Sequence, residues 1–451
     1  MDRVIKIRRG LDIRLKGTAE RVKANVGLSQ EVGLRPGWFA GLKARPVVAV
    51  GDRVRVGDAL FADKAEPSVV FASPASGVVT AVERGERRRL ECVTVKTDAQ
   101  QEYVNFGTKD VAALSGDEVV DALLAAGLFG YIDQLPFAVT ASPASRPKAV
   151  FVSALRDKPL ASDFEYELEG NERDFQTGLT ALSRIAPTHL GIGRGQGAKA
   201  LRGAKDVSVW VMDGPCPAGN VGVQVNHIDP VNKGEVVWTV DPSAVIFFGR
   251  LFSTGRVDLR RTVAVAGSEV AHPHYADVTV GQQISTLLDG ETVAAAEAGE
   301  ARIVNGNVLT GVKCNADDFL GAHSSEVTVI PEGAHADEFL GWIRPRLRQF
   351  SVSRSYFSWL HRGKEYALDA RVKGGERHMI MSGEYDRVMP MDIYPEYLIK
   401  AIIAGDIDRM EALGIYEVSP EDFALAEFVD SSKLELQSIV RQGLDMMRKE
   451  M

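Results

Sequence analysis

A chain of 451 residues with 45% apolar and 25% charged side chains is too long for one core and has an ordinary globular balance. No window approaches the roughly 18 uninterrupted apolar residues of a spanning helix: the best run, residues 244–248, stops at Gly249-Arg250, and the charged N-terminus lacks an apolar signal core, so a cytoplasmic location is expected. The net charge of −8 hides a basic beginning, with eleven Lys and Arg against four acids in residues 1–45, and an acidic end, with fifteen acids against seven bases from Glu384 onward.

The basic beginning, which includes Lys6, Arg8, Arg9, Arg14 and Lys16, suits an anionic partner such as an acidic protein loop or the cytoplasmic leaflet. Nucleic acid is not expected, because no stacking-aromatic or recognition-helix pattern accompanies the charge. Residues 1–25 alternate loosely as short strands, and the turn-rich GLRPGWF follows at 33–39. Residues 51–82 pair β-branched runs with Gly-Asp turns, the pattern of a lipoyl-like barrel-sandwich hybrid. Lys64 stands where a carrier would bear its arm, but Pro67 follows closely and the hairpin is long for a carrier, so an unmodified barrel is expected.

A helix with acids in its first turn and a glycine stop is predicted over 115–127, a loop over 130–137 and a linker over 140–147. From Lys148 the pattern becomes strands at 149–155, 188–192, 207–212 and 236–240, with an amphipathic helix at 172–185. This alternation predicts a Rossmann-like sheet to about residue 255. Strands at 262–266, 278–280, 301–304 and 327–330, with a helix at 283–288, predict a small α+β module. Residues 350–360 read as mixed, and helices are predicted at 401–413 and 419–428, the second opening on Ser419-Pro420-Glu421-Asp422.

Chemical motifs are sparse. The glycine-rich stretch 191–197 follows a strand, but its glycines fall at every second position, unlike the dinucleotide fingerprint, and a connector is expected there. The turn 213–220, DGPCPAGN, sits just after a strand, where α/β sheets place ligands. His272 and His274 lack further ligands nearby, and Cys92, Cys216 and Cys314 lie far apart without a Cys-x-x-Cys pair, which argues against a metal or iron–sulfur site on this chain. A quinone needs a flat apolar slot with one or two donors, a mixture found around Leu34, Arg35, Pro36 and Phe39 and around Leu135, Pro136 and Phe137.

The segments KIRRGLDIRLKG, VGLRP, DKAEPSVVFASPASGVV, DGPCPAGNVG, DPVN, FGRLFSTG, NGNVLTG, FSVSRS and GEYDRVMPMDI occur in order over nearly the whole chain. Together they resemble the A subunit of the bacterial sodium-translocating NADH:quinone oxidoreductases. The resemblance implies a lipoyl-like domain (1–110), a Rossmann-like domain (111–255), a β-grasp, SLBB-like domain (256–335) and a helical domain (336–451) without cluster cysteines. It implies a peripheral position on the cytoplasmic side of the bacterial inner membrane, next to the B to F members of the complex and chiefly the membrane-embedded B member. NADH, FAD, FMN and Fe–S chemistry would lie on those partners, ubiquinone would be a possible ligand, and the chain alone would be inactive. Related flavoproteins place a glycine-rich flavin loop where this chain has the bulky residues 127–133, so no flavin is expected. The alternative class is a soluble NADH- or flavin-binding oxidoreductase component, which requires a working 191–197 loop.

Overall fold

The computed structural model describes residues 3–334, 350–352, 360 and 363–450. The boundary expected at 335–336, most of 350–360 and the second half of FSVSRS lie outside them. The largest sheet has seven strands in the order Arg3–Lys6, Ser208–Asp213, Thr188–Gly193, Val150–Ser153, Val237–Val240, Ile132–Leu135 and Val139–Thr140. The first five are mutually parallel; Ile132–Leu135 runs antiparallel to them and Val139–Thr140 antiparallel to Ile132–Leu135.

Each face of this sheet is buried, which is why its strands read as apolar runs. Val150, Val152, Leu190, Ile192 and Val240 share one core with the helices Glu172–Ile185 and Pro242–Thr254. Ala149, Phe151 and Val237 share another with helix Val221–Ile228. The chain winds outward from Val150–Ser153 through the next two strands. It then crosses back to place Val237–Val240 on the other side of the first. The switch in direction therefore falls between Val150–Ser153 and Val237–Val240.

A six-stranded mixed sheet carries the α+β module: Val312–Cys314, Ala301–Asn305, Glu326–Pro331, Arg260–Ala266, His274–Thr279 and Lys23–Ala24. Two small sheets face each other in the N-terminal barrel, one built on Gly77–Arg84 and Leu90–Thr97, the other on Ala59–Asp63 and Val70–Ala72. The C-terminal helices bury Leu398, Ile402, Val440 and Leu444 against one another.

Several expectations change. Residues 1–25 do not belong to the barrel alone: Arg3–Lys6 is an edge strand of the seven-stranded sheet and Lys23–Ala24 an edge strand of the six-stranded one. The loop predicted at 130–137 is largely the strand Ile132–Leu135, and the linker at 140–147 opens on its hairpin partner. Helix Pro242–Thr254 was hidden because ten of its residues are buried, leaving no polar face to mark a helical period. Asp241 caps its start and left-handed Gly255 its end. The helix predicted at 283–288 is a single 3-10 turn, Ile284–Thr286, and the module's own helix is Gly290–Glu297. The helix predicted at 401–413 is two, Pro395–Ala404 and Ile407–Ala412, split at left-handed Gly405. That at 419–428 begins as a 3-10 turn, Pro420–Phe423, with the expected Ser419–Asp422 capping box.

Candidate functional site

A cavity of about 360 Å³ opens at the carboxyl ends of the parallel strands, at the switch point. Open α/β sheets bind their ligands at this place, because loops from neighbouring strands diverge there and leave a crevice. Three parts of the chain meet around it. Ser153 ends one central strand and Asp157 follows it, Asp241 follows the other, and Asp133 comes from the antiparallel neighbour. The six-stranded module adds the loop around Asn307 and the segment of His323 and Glu326; the C-terminal helices add Glu421.

Most of these charges are paired. Arg156 donates to Glu167 Oε2 and Ser162 Oγ, both at 2.8 Å, and to Ser243 Oγ at 2.9 Å, while its guanidinium lies 5.2 Å above the Phe164 ring. Burial disfavours the charged guanidinium, but Glu167 and Asp241 outweigh burial and hold it protonated. Arg261, 1% exposed, donates to Ser243 Oγ at 2.9 Å and to Ala322 O at 3.3 Å. Asp241 accepts from Ser243 N at 2.9 Å. Burial would raise its pKa, but Arg156, Arg261 and His323 hold it below the usual carboxylate value. Lys158 is ion-paired with Glu421, which fastens the C-terminal helices to the strand-end loop. Glu326 accepts from Ser325 Oγ at 2.8 Å and Ser162 N at 3.1 Å.

Two carboxylates that line the cavity are less well served. Asp157 Oδ2 accepts from Gly219 N at 2.7 Å, but Oδ1 is buried without a hydrogen-bond partner. The Asp133 carboxylate accepts no hydrogen bond among the described residues. Burial pushes both pKa values up. Position 219 has to be glycine for this contact: a Cβ there would lie 2.6 Å from Asp157 Oδ1 and from Leu155 O.

The segments singled out from sequence are distributed differently. Leu34 and Phe39 are buried in the barrel core; Arg35 reaches across to Asp318 Oδ1 at 2.6 Å, and Pro36 opens a 3-10 turn. Phe39 packs on Phe71 (ring centroids 4.3 Å), Tyr131 (5.5 Å) and His323 (5.4 Å), so it backs the cavity wall. Leu135 lies in the core under helix Val221–Ile228, and Phe137 packs edge-on against Tyr416 at 6.1 Å. Just beyond the two segments the chain is joined directly, Thr140 N donating to Ala40 O at 3.0 Å. A further link is the strand Ile132–Leu135, whose Asp133 lines the cavity and whose far end leads into Pro136 and Phe137.

Lys6, Arg8, Arg9, Arg14 and Lys16 lie along the first segment, and all five are exposed. Lys64 is exposed at a hairpin turn and its backbone N–H donates to Lys43 O at 2.9 Å. The 191–197 stretch is braced by its own residues: Gly193 N donates to Gln196 Oε1 at 2.7 Å, Arg202 Nε to Gln196 O at 2.7 Å. The helix after it, Lys199–Arg202, has only four residues. Of the 213–220 turn, Gly219 lines the cavity. His274 Nδ1 lies 2.8 Å from His272 O, and among the described residues no group of three or more His, Cys, Asp or Glu side chains is placed to hold a metal ion. Asp133, Asp157, Asp241 and His323 escaped the sequence reading because they are scattered over the chain. The signal that finds them is position: Asp157 and Asp241 closely follow the two strands that flank the switch point.

Residues 5–98 match the domain family described as the NqrA N-terminal barrel-sandwich hybrid domain. Residues 114–257 match the NqrA second alpha/beta domain, and 262–316 the NQRA C-terminal domain. A protein of Neisseria meningitidis serogroup C is 35% identical over 99% of this chain and 100% of its own length. One of Haemophilus influenzae is 34% identical over 99% and 100%, and one of Serratia proteamaculans 35% over the same shares. All three carry the name of the A subunit of Na(+)-translocating NADH-quinone reductase. A solved NAD+-reducing [NiFe]-hydrogenase in the air-oxidized state aligns at 11% identity over 78% of this chain and 67% of that one, with a TM-score of 0.35, too low to bear on the fold.

Proposed function

Because the chain belongs to the NqrA family, the A subunits of Na(+)-translocating NADH-quinone reductases, we propose that it serves a sodium-pumping complex as a peripheral component without a redox cofactor of its own. The carrying observation is the identity of 34–35% over essentially the full length of both partners.

The cofactor reading is supported by what fills the chain's own space. Where related flavoproteins hold flavin, the segment 127–133 is packed shut: Phe129 and Tyr131 are buried, and Gly127 O accepts from Ala72 N of the barrel at 3.3 Å. The thiols of Cys92, Cys216 and Cys314 fall in separate parts of the fold, and burial raises the pKa of each, that of Cys314 to about 12. Thiols kept protonated and apart are poor cluster ligands.

Attachment is peripheral in this reading. No helix among the described residues is long and apolar enough to cross a membrane, and the row Lys6, Arg8, Arg9, Arg14 and Lys16 offers a cationic edge for the membrane-embedded B member on the cytoplasmic side. The chain contributes to the quinone site through the 34–39 segment, whose Gly37 is exposed and whose Arg35 and Trp38 are half-buried. Quinone-shaped photoprobes applied to the assembled complex test this. Label on 34–39 or 135–137 that free quinone competes away is expected. Label confined to the other members of the complex reduces this chain to a docking scaffold, and stoichiometric flavin on the purified chain overturns the cofactor reading.

A further inference from the structure

The crevice at a switch point ordinarily receives phosphate, because helix N-termini there present unpaired N–H groups. In this chain both places are already taken by its own carboxylates. Asp241 occupies the start of Pro242–Thr254, and Asp157 holds the Gly219 N–H just ahead of Val221–Ile228. A phosphate would have to displace one of them and then sit near Asp133 and Glu421. The cations cannot compensate it, since Arg156 is engaged by Glu167 and Ser162 and Lys158 by Glu421.

What the cavity leaves open is the opposite chemistry. Asp157 lines the cavity and its Oδ1 is buried without a partner; Asp133, half-buried, lines it too and accepts no hydrogen bond among the described residues. The buried Asp157 oxygen carries a desolvation cost that a donor-bearing cation beside it and Asp133 would offset. A volume of about 360 Å³ is enough for a small organic molecule.

We propose that this cavity binds a small organic cation bearing several N–H donors, an aliphatic amine, held by Asp133 and Asp157, and that it excludes phosphate-bearing nucleotides. The inference rests on the reading that this chain carries no nucleotide cofactor, and it adds a ligand class that reading does not contain. Such a site makes the protein responsive to the amine content of its compartment, since the ligand bridges strand ends that the six-stranded module and the C-terminal helices also border.

Calorimetric titration of the full chain at physiological ionic strength tests it, with putrescine and spermidine as probes and FMN, NADH and ribose as comparators. Saturable amine binding is expected, weakened at least about ten-fold by Asp157→Asn and by Asp133→Asn, each of which keeps the side-chain shape. Thermal melting of both variants verifies that they remain folded. Amine binding unchanged in both variants, or absent from the wild type, overturns the proposal and leaves the family assignment intact. Ribose binding without amine binding also overturns it. Binding of FMN or NADH overturns both the proposal and the cofactor-free reading.

Discussion

The carbonyl oxygen of Val245 stands 2.0 Å from where a Cβ on Gly178 would be, and the carbonyl of Asp174 stands 1.7 Å from a Cβ on Gly249. Glycines on each of two helices, Glu172–Ile185 and Pro242–Thr254, thus let the backbones touch, and Asp241 at the head of the second helix is positioned by that contact. Gly178→Ala or Gly249→Ala should cost about 3 kcal/mol or more, because the obstructing atoms are backbone and the helices themselves must separate. Gly195→Ala, with nothing within 4 Å, is the matched control and should be near neutral. Urea unfolding midpoints of the three variants decide it; equal midpoints would show the helices are free to part.

Arg156 in the cavity wall is paired with Glu167 behind it, their side chains only 9% and 2% exposed. Removing one partner leaves a buried charge alone, so Glu167→Leu or Arg156→Met should each destabilise by about 3–5 kcal/mol. The double variant is expected to recover part of the loss. A double-mutant cycle with purely additive costs would show that Arg261, rather than Arg156, satisfies Glu167.

Asp422 supplies a pH dependence. It is 2% exposed, and burial first, then Glu421, pushes its carboxyl up to about 6, against the pull of Ser419 and Asn220. The fold favours the protonated form. The stabilisation is therefore fully present below the ordinary carboxyl value of 3.8 and is lost as pH rises through about 6. Relative to Asp422→Asn, the wild type should lose about 2–3 kcal/mol between about pH 4 and pH 7. Comparing the two proteins cancels the other carboxylates. Parallel stability curves across that window would mean that Asp422 is ionised in the fold throughout.

The basic edge predicts a separation of stability from assembly. Lys6, Arg8 and Arg14 are exposed, and changing all three to Glu should leave the melting temperature of the isolated chain nearly unchanged. Co-purification with the membrane-embedded members of the complex should fall, most steeply at low salt where screening is weakest. Full recovery of the charge-reversed chain with its partners would place the docking surface elsewhere.

The parts of this structure that were legible in sequence are those whose period matches their surroundings. Helix Glu172–Ile185 has one buried face, carrying Phe175, Leu179 and Leu182, and its limits agree with the expectation to the residue. The strands 149–155 and 188–192 showed as apolar runs because helices cover both faces of their sheet. Elsewhere the surroundings erased the period. Pro242–Thr254 is apolar nearly all round, and Ile132–Leu135 hides between a 3-10 turn and Pro136 with two polar residues, Asp133 and Gln134, at its centre. The cavity was the least legible feature, because its polar groups are joined only by chain crossings between three modules. No spacing rule connects Asp133 with His323 or Glu421.

The N-terminal segment has a consequence for how the protein is made. Arg3–Lys6 and Lys23–Ala24 leave the ribosome well before their partners Trp210–Asp213 and Tyr275–Ala276. Two sheet edges must therefore wait open during synthesis, and the earliest strands are among the last to be placed. A folding helper that shields this basic segment would act while its partner strands are still being made.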